Sequence, residues 1–152
     1  SSSCFSGFGD GAGGFYAVYA KVFADIDKDE RAFGIDASLD TAVEFGCADA
    51  AWGHVRAFYA QWEGFASKRT FACVDKYDTR EAPNRQVRRL MEKENARARA
   101  EAKKKASEVV RALVAYVKKR DRRVEAHVSK QQQEREARAA KAEAERSRRQ
   151  AE

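Results

Sequence analysis

The sequence predicts an all-α protein: a small aromatic helical bundle followed by a long basic helix and a charged tail that is either helical or disordered. Three observations carry that prediction. Large aromatic and aliphatic residues recur three and four positions apart in two separate stretches, which is the period of one helix face. Beyond Pro83 the chain contains neither proline nor glycine, the two residues least tolerated inside helices. Alternating polar and apolar runs, the mark of a half-buried strand, are nearly absent. The one strand-like run, residues 70–74, is short and reads as merely extended.

The first 14 residues are rich in serine and glycine and read as a flexible linker, with Phe5 and Phe8 inside it available to dock on a surface. Phe15, Val18, Tyr19, Val22, Phe23 and Ile26 then trace one apolar stripe, so a helix begins there and is expected to end in the polar run 27–31. Residues 33–49 carry Gly34 and Gly46 with no sustained period, and predict a loop with one helical turn at most. A second helix follows, with Trp52, Val55, Phe58, Tyr59, Trp62 and Phe65 on one side and Asp49 as its expected N-cap. Together the two stripes predict an aromatic core.

Pro83 suits the first position of a helix, where its missing N–H costs nothing. Val87, Leu90, Met91 and Ala98 trace a narrow stripe, which resumes and widens at Val109, Val110, Leu113, Val114 and Val117. The residues between are mostly Lys, Arg, Glu and Ala, all strong helix formers. One helix is therefore expected over about 83–119, with a break at Arg120–Asp121 and Asp121 capping a final helix. No large apolar residue follows Val128. The resulting division is a linker over 1–14, a helical domain over 15–128 and a charged tail over 129–152.

Charge divides the chain differently from hydropathy. Charged residues make up 36% of the whole, against ~25% in ordinary globular domains. Residues 1–66 hold 4 basic against 10 acidic side chains, whereas residues 67–152 hold 26 against 14. A basic block of that size points to a polyanionic partner, most often nucleic acid. Arg85, Arg88, Arg89 and Lys93 share a helix face, and the runs Lys103-Lys104-Lys105 and Lys118-Lys119-Arg120-Asp121-Arg122-Arg123 contain few acids. The competing reading is that these cations only keep the protein soluble.

The residues exclude several chemistries. Cys4, Cys47 and Cys73 are far apart and form no CxxC pair, and His54 and His127 are 73 residues from each other, so a zinc site is not expected. Each cysteine reads as a small buried hydrophobe, and the odd count favours a reducing compartment. Asp25, Asp27, Asp29 and Glu30 lack the spacing of a cation loop and read as a solvated helix end. His54 reads as packed or capping. No phosphate-binding loop, dinucleotide fingerprint or serine elbow is present, so neither an enzyme nor a cofactor is expected. No apolar run is long enough to span a membrane, and the amino terminus lacks the pattern of a signal peptide. The chain does not start with methionine and reads as a piece of a longer protein.

The motifs FYxxW, YDTR, NRxxxR, MEKEN and VRxLVxxVxKRDxRV occur in that order between Phe58 and Val124. In this order and spacing the chain resembles the zuotin-related J-protein co-chaperones, in particular the DnaJ subfamily C branch acting on pre-ribosomal large subunits. The resemblance runs from about Cys4 to His127 and covers the helical region after the J domain. It implies anchoring on the large ribosomal subunit, through ribosomal RNA and proteins, in the cytoplasm and also the nucleus. It further implies partnership with a seventy-kilodalton heat-shock chaperone through a J domain, and zinc fingers further along. This chain carries no His-Pro-Asp triplet. Position 73 is Cys where the family pattern has Trp, which implies looser packing beside Phe71. Contact roles carried over by resemblance fall on Arg85, Arg88, Arg89, Lys118, Lys119, Arg120, Arg122 and Arg123. The alternative is a protein–protein scaffold in which the charged helices pair with another helix. In both, YDTREAP is expected to be a turn pinning the bundle to the long helix, with Val87, Leu90 and Met91 facing the bundle.

Overall fold

The computed structural model describes residues 4–33 and 42–152. Four helices, α1 (Phe15–Phe33), α2 (Trp52–Glu63), α3 (Arg85–Arg120) and α4 (Arg122–Ala151), and two short 3-10 turns, Ala72–Val74 and Thr79–Glu81, make up the regular structure, with no strand among the described residues. The loop that the sequence predicts over 33–49 lies partly outside the described residues.

The core forms where three elements bring their large side chains together. Phe15, Tyr16, Tyr19 and Phe23 of α1 meet Val55, Phe58, Tyr59 and Trp62 of α2, and Val114 and Val117 of α3 close the third side. The rings interlock at angles: Phe23 and Phe45 each meet Phe58 at 5.0 Å, tilted by 76° and 66°. Each such pair adds about 0.5–1.5 kcal/mol beyond the area it buries. Phe45 comes from the stretch without helical period, yet it is 2% exposed and sits between α1 and α2. Gly46 makes that insertion possible. Its φ of +78°, and the His54 ring 3.1 Å from where a Cβ would stand, admit no other residue without strain.

Several boundaries differ from the expectation. Helix α1 continues through the polar run to Phe33, because Glu30 points inward rather than into solvent. Its carboxylate accepts from the Ser67 hydroxyl at 2.6 Å and the Lys68 N–H at 2.8 Å, while the Ser67 N–H donates to Ser107 Oγ at 2.9 Å. One buried carboxylate thus ties α1, the chain after α2, and α3. Asp49 does not cap α2. It sits in a turn and accepts from Cys47 Sγ, and the cap position is Ala51. Pro83 precedes the α3 cap rather than entering the helix. Asn84 takes the cap, its Oδ1 accepting from the Val87 N–H at 2.9 Å, since an amide oxygen satisfies an orphan N–H that proline cannot.

Residues 4–14 do not behave as their composition suggests. The Ser6 N–H donates to Gly13 O at 2.7 Å and the Phe15 N–H to Gly7 O at 2.9 Å, which folds the segment into a strap. Phe5 and Phe8 each lie 5.1 Å from the Phe15 ring. Glycine supplies the turns, and the two phenylalanines supply the burial that holds them. All three cysteines are exposed, contrary to their expected burial.

Helix α3 has 36 residues and is about 54 Å long at 1.5 Å per residue. Its second half packs Val110, Leu113, Val114 and Val117 on the bundle. Its first half runs beyond the bundle and lies against the 3-10 turns. Leu90 is therefore 61% exposed, and Val109, in the second half but about 100° round from the packed Val110, is 69% exposed, where the stripe had both turned inward. The packed positions in the first half include Val87, Met91 and Asn95, a face centred about 100° round from Leu90. The break falls at Asp121, which ends α3 and caps α4. Helix α4 packs only through its first two turns, where His127 stacks on Trp52 at 3.7 Å. Residues 129–151 are helical and wholly exposed.

Candidate nucleic-acid interface

The geometry of the basic surface is set at the α3–α4 bend. Asp121 is 1% exposed. Its carboxylate accepts from the hydroxyls of Tyr16 at 3.2 Å and Tyr59 at 2.7 Å, from the Arg123 N–H at 2.9 Å, and from the Arg123 guanidinium at 2.9 Å. Arg123 completes the network by donating through Nη1 to Phe45 O at 2.8 Å and Cys47 O at 3.1 Å. Its guanidinium also lies 4.4 Å from the Phe45 ring and 4.7 Å from that of Tyr16. A buried charge pair is tolerable only when its remaining donors and acceptors are satisfied, and here they are. Arg123, expected as a contact residue, is thus a core residue locking α4 to the bundle. Within the sequence it looked like one more cation in a basic run.

The tyrosines carry a pH signature. Burial, reinforced by the Asp121 carboxylate, pushes the Tyr16 hydroxyl up to about 12 from 10.0, and burial pushes Tyr59 up as well. Folding favours the protonated form, so this contribution to stability is whole below about pH 10 and is lost as pH rises through about 12. Alkaline titration is expected to show a late tyrosinate fraction appearing together with loss of helical circular dichroism. Tyrosinate formed before any loss of helix would contradict it.

The remaining sequence-predicted residues fall into three groups. Lys118 is half-exposed, pairs with Glu63 at 2.6 Å and lies over the Tyr59 ring. A pair that open to water contributes about 1 kcal/mol at most, and it reduces the charge Lys118 offers. Arg120 and Arg122 are exposed but rest on rings: Arg120 lies 3.4 Å from the Tyr116 centroid and Arg122 lies 3.9 Å from that of Phe8. Arg85, Arg89 and Lys119 are exposed and form no ion pair among the described residues, and Arg88 donates to Thr79 O at 3.4 Å. Arg85, Arg89 and Lys93 repeat every four residues, two positions round from the packed Val87, Met91 and Asn95. Like charges at that spacing destabilise an isolated helix by a few tenths of a kcal/mol per pair. Helix α3 holds 13 basic and 4 acidic side chains, so intrahelical pairing cannot neutralise it.

The YDTR turn is pinned to α3, but by a residue the stripe did not reveal. Asn95 Oδ1 accepts from the N–H groups of Lys76 at 3.0 Å and Tyr77 at 3.1 Å, and its Nδ2 donates to Tyr77 O at 2.9 Å. Arg99 pairs with Asp75 beside it and holds that carboxyl below the usual carboxylate range. Asp78 accepts from the Arg80 N–H at 3.0 Å, a local bond within the turn. Phe71, before the first 3-10 turn, adopts a φ of +54°, with Cys73 exposed beyond it. Asn95→Ala is expected to cost about 1–3 kcal/mol, because it strands two amides. Amide exchange at Lys76 and Tyr77 would accelerate, and unchanged exchange would contradict the assignment.

Among the described residues no group of His, Cys, Asp and Glu is arranged to hold a metal ion, and no helix is long and apolar enough to cross a membrane. Beyond Val128, helix α4 bears no apolar side chain larger than alanine, so it lacks the seam a helical partner would need.

The family model described as zuotin-like, zuotin homology domain, matches residues 14–125. DnaJ homolog subfamily C member 21 of Homo sapiens is 43% identical over 125 residues, covering 82% of this chain and 24% of that protein. Its Danio rerio counterpart is 43% identical over 127 residues, with 82% and 23% covered. The Saccharomyces cerevisiae J protein JJJ1 is 21% identical over 155 residues, with 82% and 26% covered. The chain therefore spans about a quarter of the length of the relatives it matches.

Proposed function

The chain belongs to the zuotin homology domain family, a J-protein co-chaperone region rather than an enzyme family, and from that premise we propose that it anchors a co-chaperone on the large ribosomal subunit. It does so by laying the outer side of α3 and the bend at Asp121 against ribosomal RNA phosphates, in the cytoplasmic maturation of that subunit. The partner chaperone, of the seventy-kilodalton heat-shock class, is engaged through a J domain of the parent protein.

One observation supports this reading above the others: Arg85, Arg89 and Lys119 stand exposed and unpaired among the described residues on a single stiff helix. Cations held on a stiff helix meet a phosphate surface without the helix first having to be ordered, and each phosphate they neutralise releases counterions. The contacts are with backbone, since no side chain here is set in a base-reading arrangement. The chain is expected to co-sediment with large subunits at low salt and to dissociate steeply as salt rises. Salt-insensitive co-sedimentation would remove the phosphate reading.

A further inference from the structure

The strap formed by residues 4–14 carries no basic side chain, yet one of its rings lies beneath an exposed guanidinium at the bend. We infer that the strap is a working part of that surface: Phe8, together with Tyr116, forms an aromatic pad that holds Arg122 and Arg120 in place as preset phosphate contacts. The inference rests on the RNA reading of the basic surface and deepens it.

The geometry supports each step. Arg122 lies 3.9 Å from the Phe8 centroid and Arg120 lies 3.4 Å from that of Tyr116. Arg120 is fixed further by donating Nη1 to Tyr116 O at 3.0 Å. Phe8 cannot swing freely, because it packs at 5.1 Å on Phe15 and 5.5 Å on Phe5, and Gly7 O accepts the Phe15 N–H. Phe5 in turn lies 5.9 Å from Tyr19. A ring against one face of a guanidinium leaves N–H donors free for phosphate oxygens, the whole edge at Arg122 and the donors other than Nη1 at Arg120. The ring also restricts a side chain that otherwise samples many rotamers and loses them on binding. Lysine, with a compact ammonium on a flexible stem, cannot use the pad in this way. The glycines and phenylalanines of the strap and the arginines of the bend, far apart in sequence, therefore belong to one device.

The test uses the whole chain and a fluorescein-labelled RNA hairpin, with affinity read by anisotropy at fixed salt. Phe8→Leu keeps the apolar bulk and removes the ring face, and is expected to weaken binding about two- to tenfold. Phe8→Tyr restores the ring and is expected to bind as the parent does. Arg122→Lys keeps the charge and is expected to weaken binding by a similar factor, without touching the strap. The double variant Arg120→Glu with Arg122→Glu reports on the surface itself and is expected to bind far more weakly. If the double variant binds weakly while Phe8→Leu or Arg122→Lys binds like the parent, the pad is overturned and the RNA reading stands. Equal weakening by Phe8→Leu and Phe8→Tyr also overturns the pad, since the strap's packing would then be responsible. A double variant as tight as the parent overturns the use of this bend for RNA, and the pad with it.

Discussion

Asp121→Ala is expected to lower the unfolding free energy by about 3–5 kcal/mol, the cost of leaving a buried charge without its partner. The residue supports four groups at once. It caps α4, accepts from both Tyr16 and Tyr59, and neutralises Arg123, whose side chain is 5% exposed. Without it, a guanidinium is left in the core with only the two carbonyls of Phe45 and Cys47. Arg123→Ala should cost a similar amount by stranding the carboxylate. Changing both together should cost less than the two single effects added, because the second change removes the charge that the first exposed. Urea denaturation followed by circular dichroism checks this. Single-variant losses within about 0.5 kcal/mol, the range of ordinary surface changes, would show that the network does not hold the bend.

The opposite pattern is expected on the outer surface. Glutamate at positions 85, 89, 119, 120 and 122 together should leave the melting transition close to the parent's, because these side chains are exposed. Binding to large subunits should nearly vanish. With roughly 1 kcal/mol lost per charge-assisted contact, five contacts amount to about a thousandfold or more in affinity. Reversing Lys118 should matter less, since Glu63 already faces it at 2.6 Å. Sedimentation with purified subunits separates the two classes: Asp121 and Arg123 variants lose stability, outer variants lose binding. Outer variants that sediment with the subunit as the parent does would contradict the assignment.

Much of this architecture is legible in the sequence because helix periodicity and breakers act locally. The two aromatic stripes, the uninterrupted stretch after Pro83 and the break at Asp121 all appear where the spacing puts them. What eluded it depends on contacts distant along the chain. Arg123 resembles its neighbours in the run, and only the arrival of Phe45, Tyr16 and Tyr59 from elsewhere turns it inward. Glu30 sits among aspartates that are solvated, and its inward turn depends on Ser67. Asn95 reads as a polar break in an apolar stripe, although its amide geometry is suited to a turn's orphan groups. The strap was masked by its glycines, since composition measures flexibility and not what two phenylalanines gain by docking. Leu90 was misplaced because the stripe assumed that all of α3 lies on the bundle, whereas its first half extends past it, and Val109 because it stands about 100° round from the packed Val110.

The central claim is that the outward cations meet phosphates while Arg123 does not. The slope of log binding constant against log salt, measured with the RNA hairpin, tests it most directly. Arg89→Ala and Lys119→Ala are each expected to make that slope shallower by about 1, with their folds intact. Lines parallel to the parent's for both variants would mean that these cations neutralise no phosphate, and the surface would need another partner.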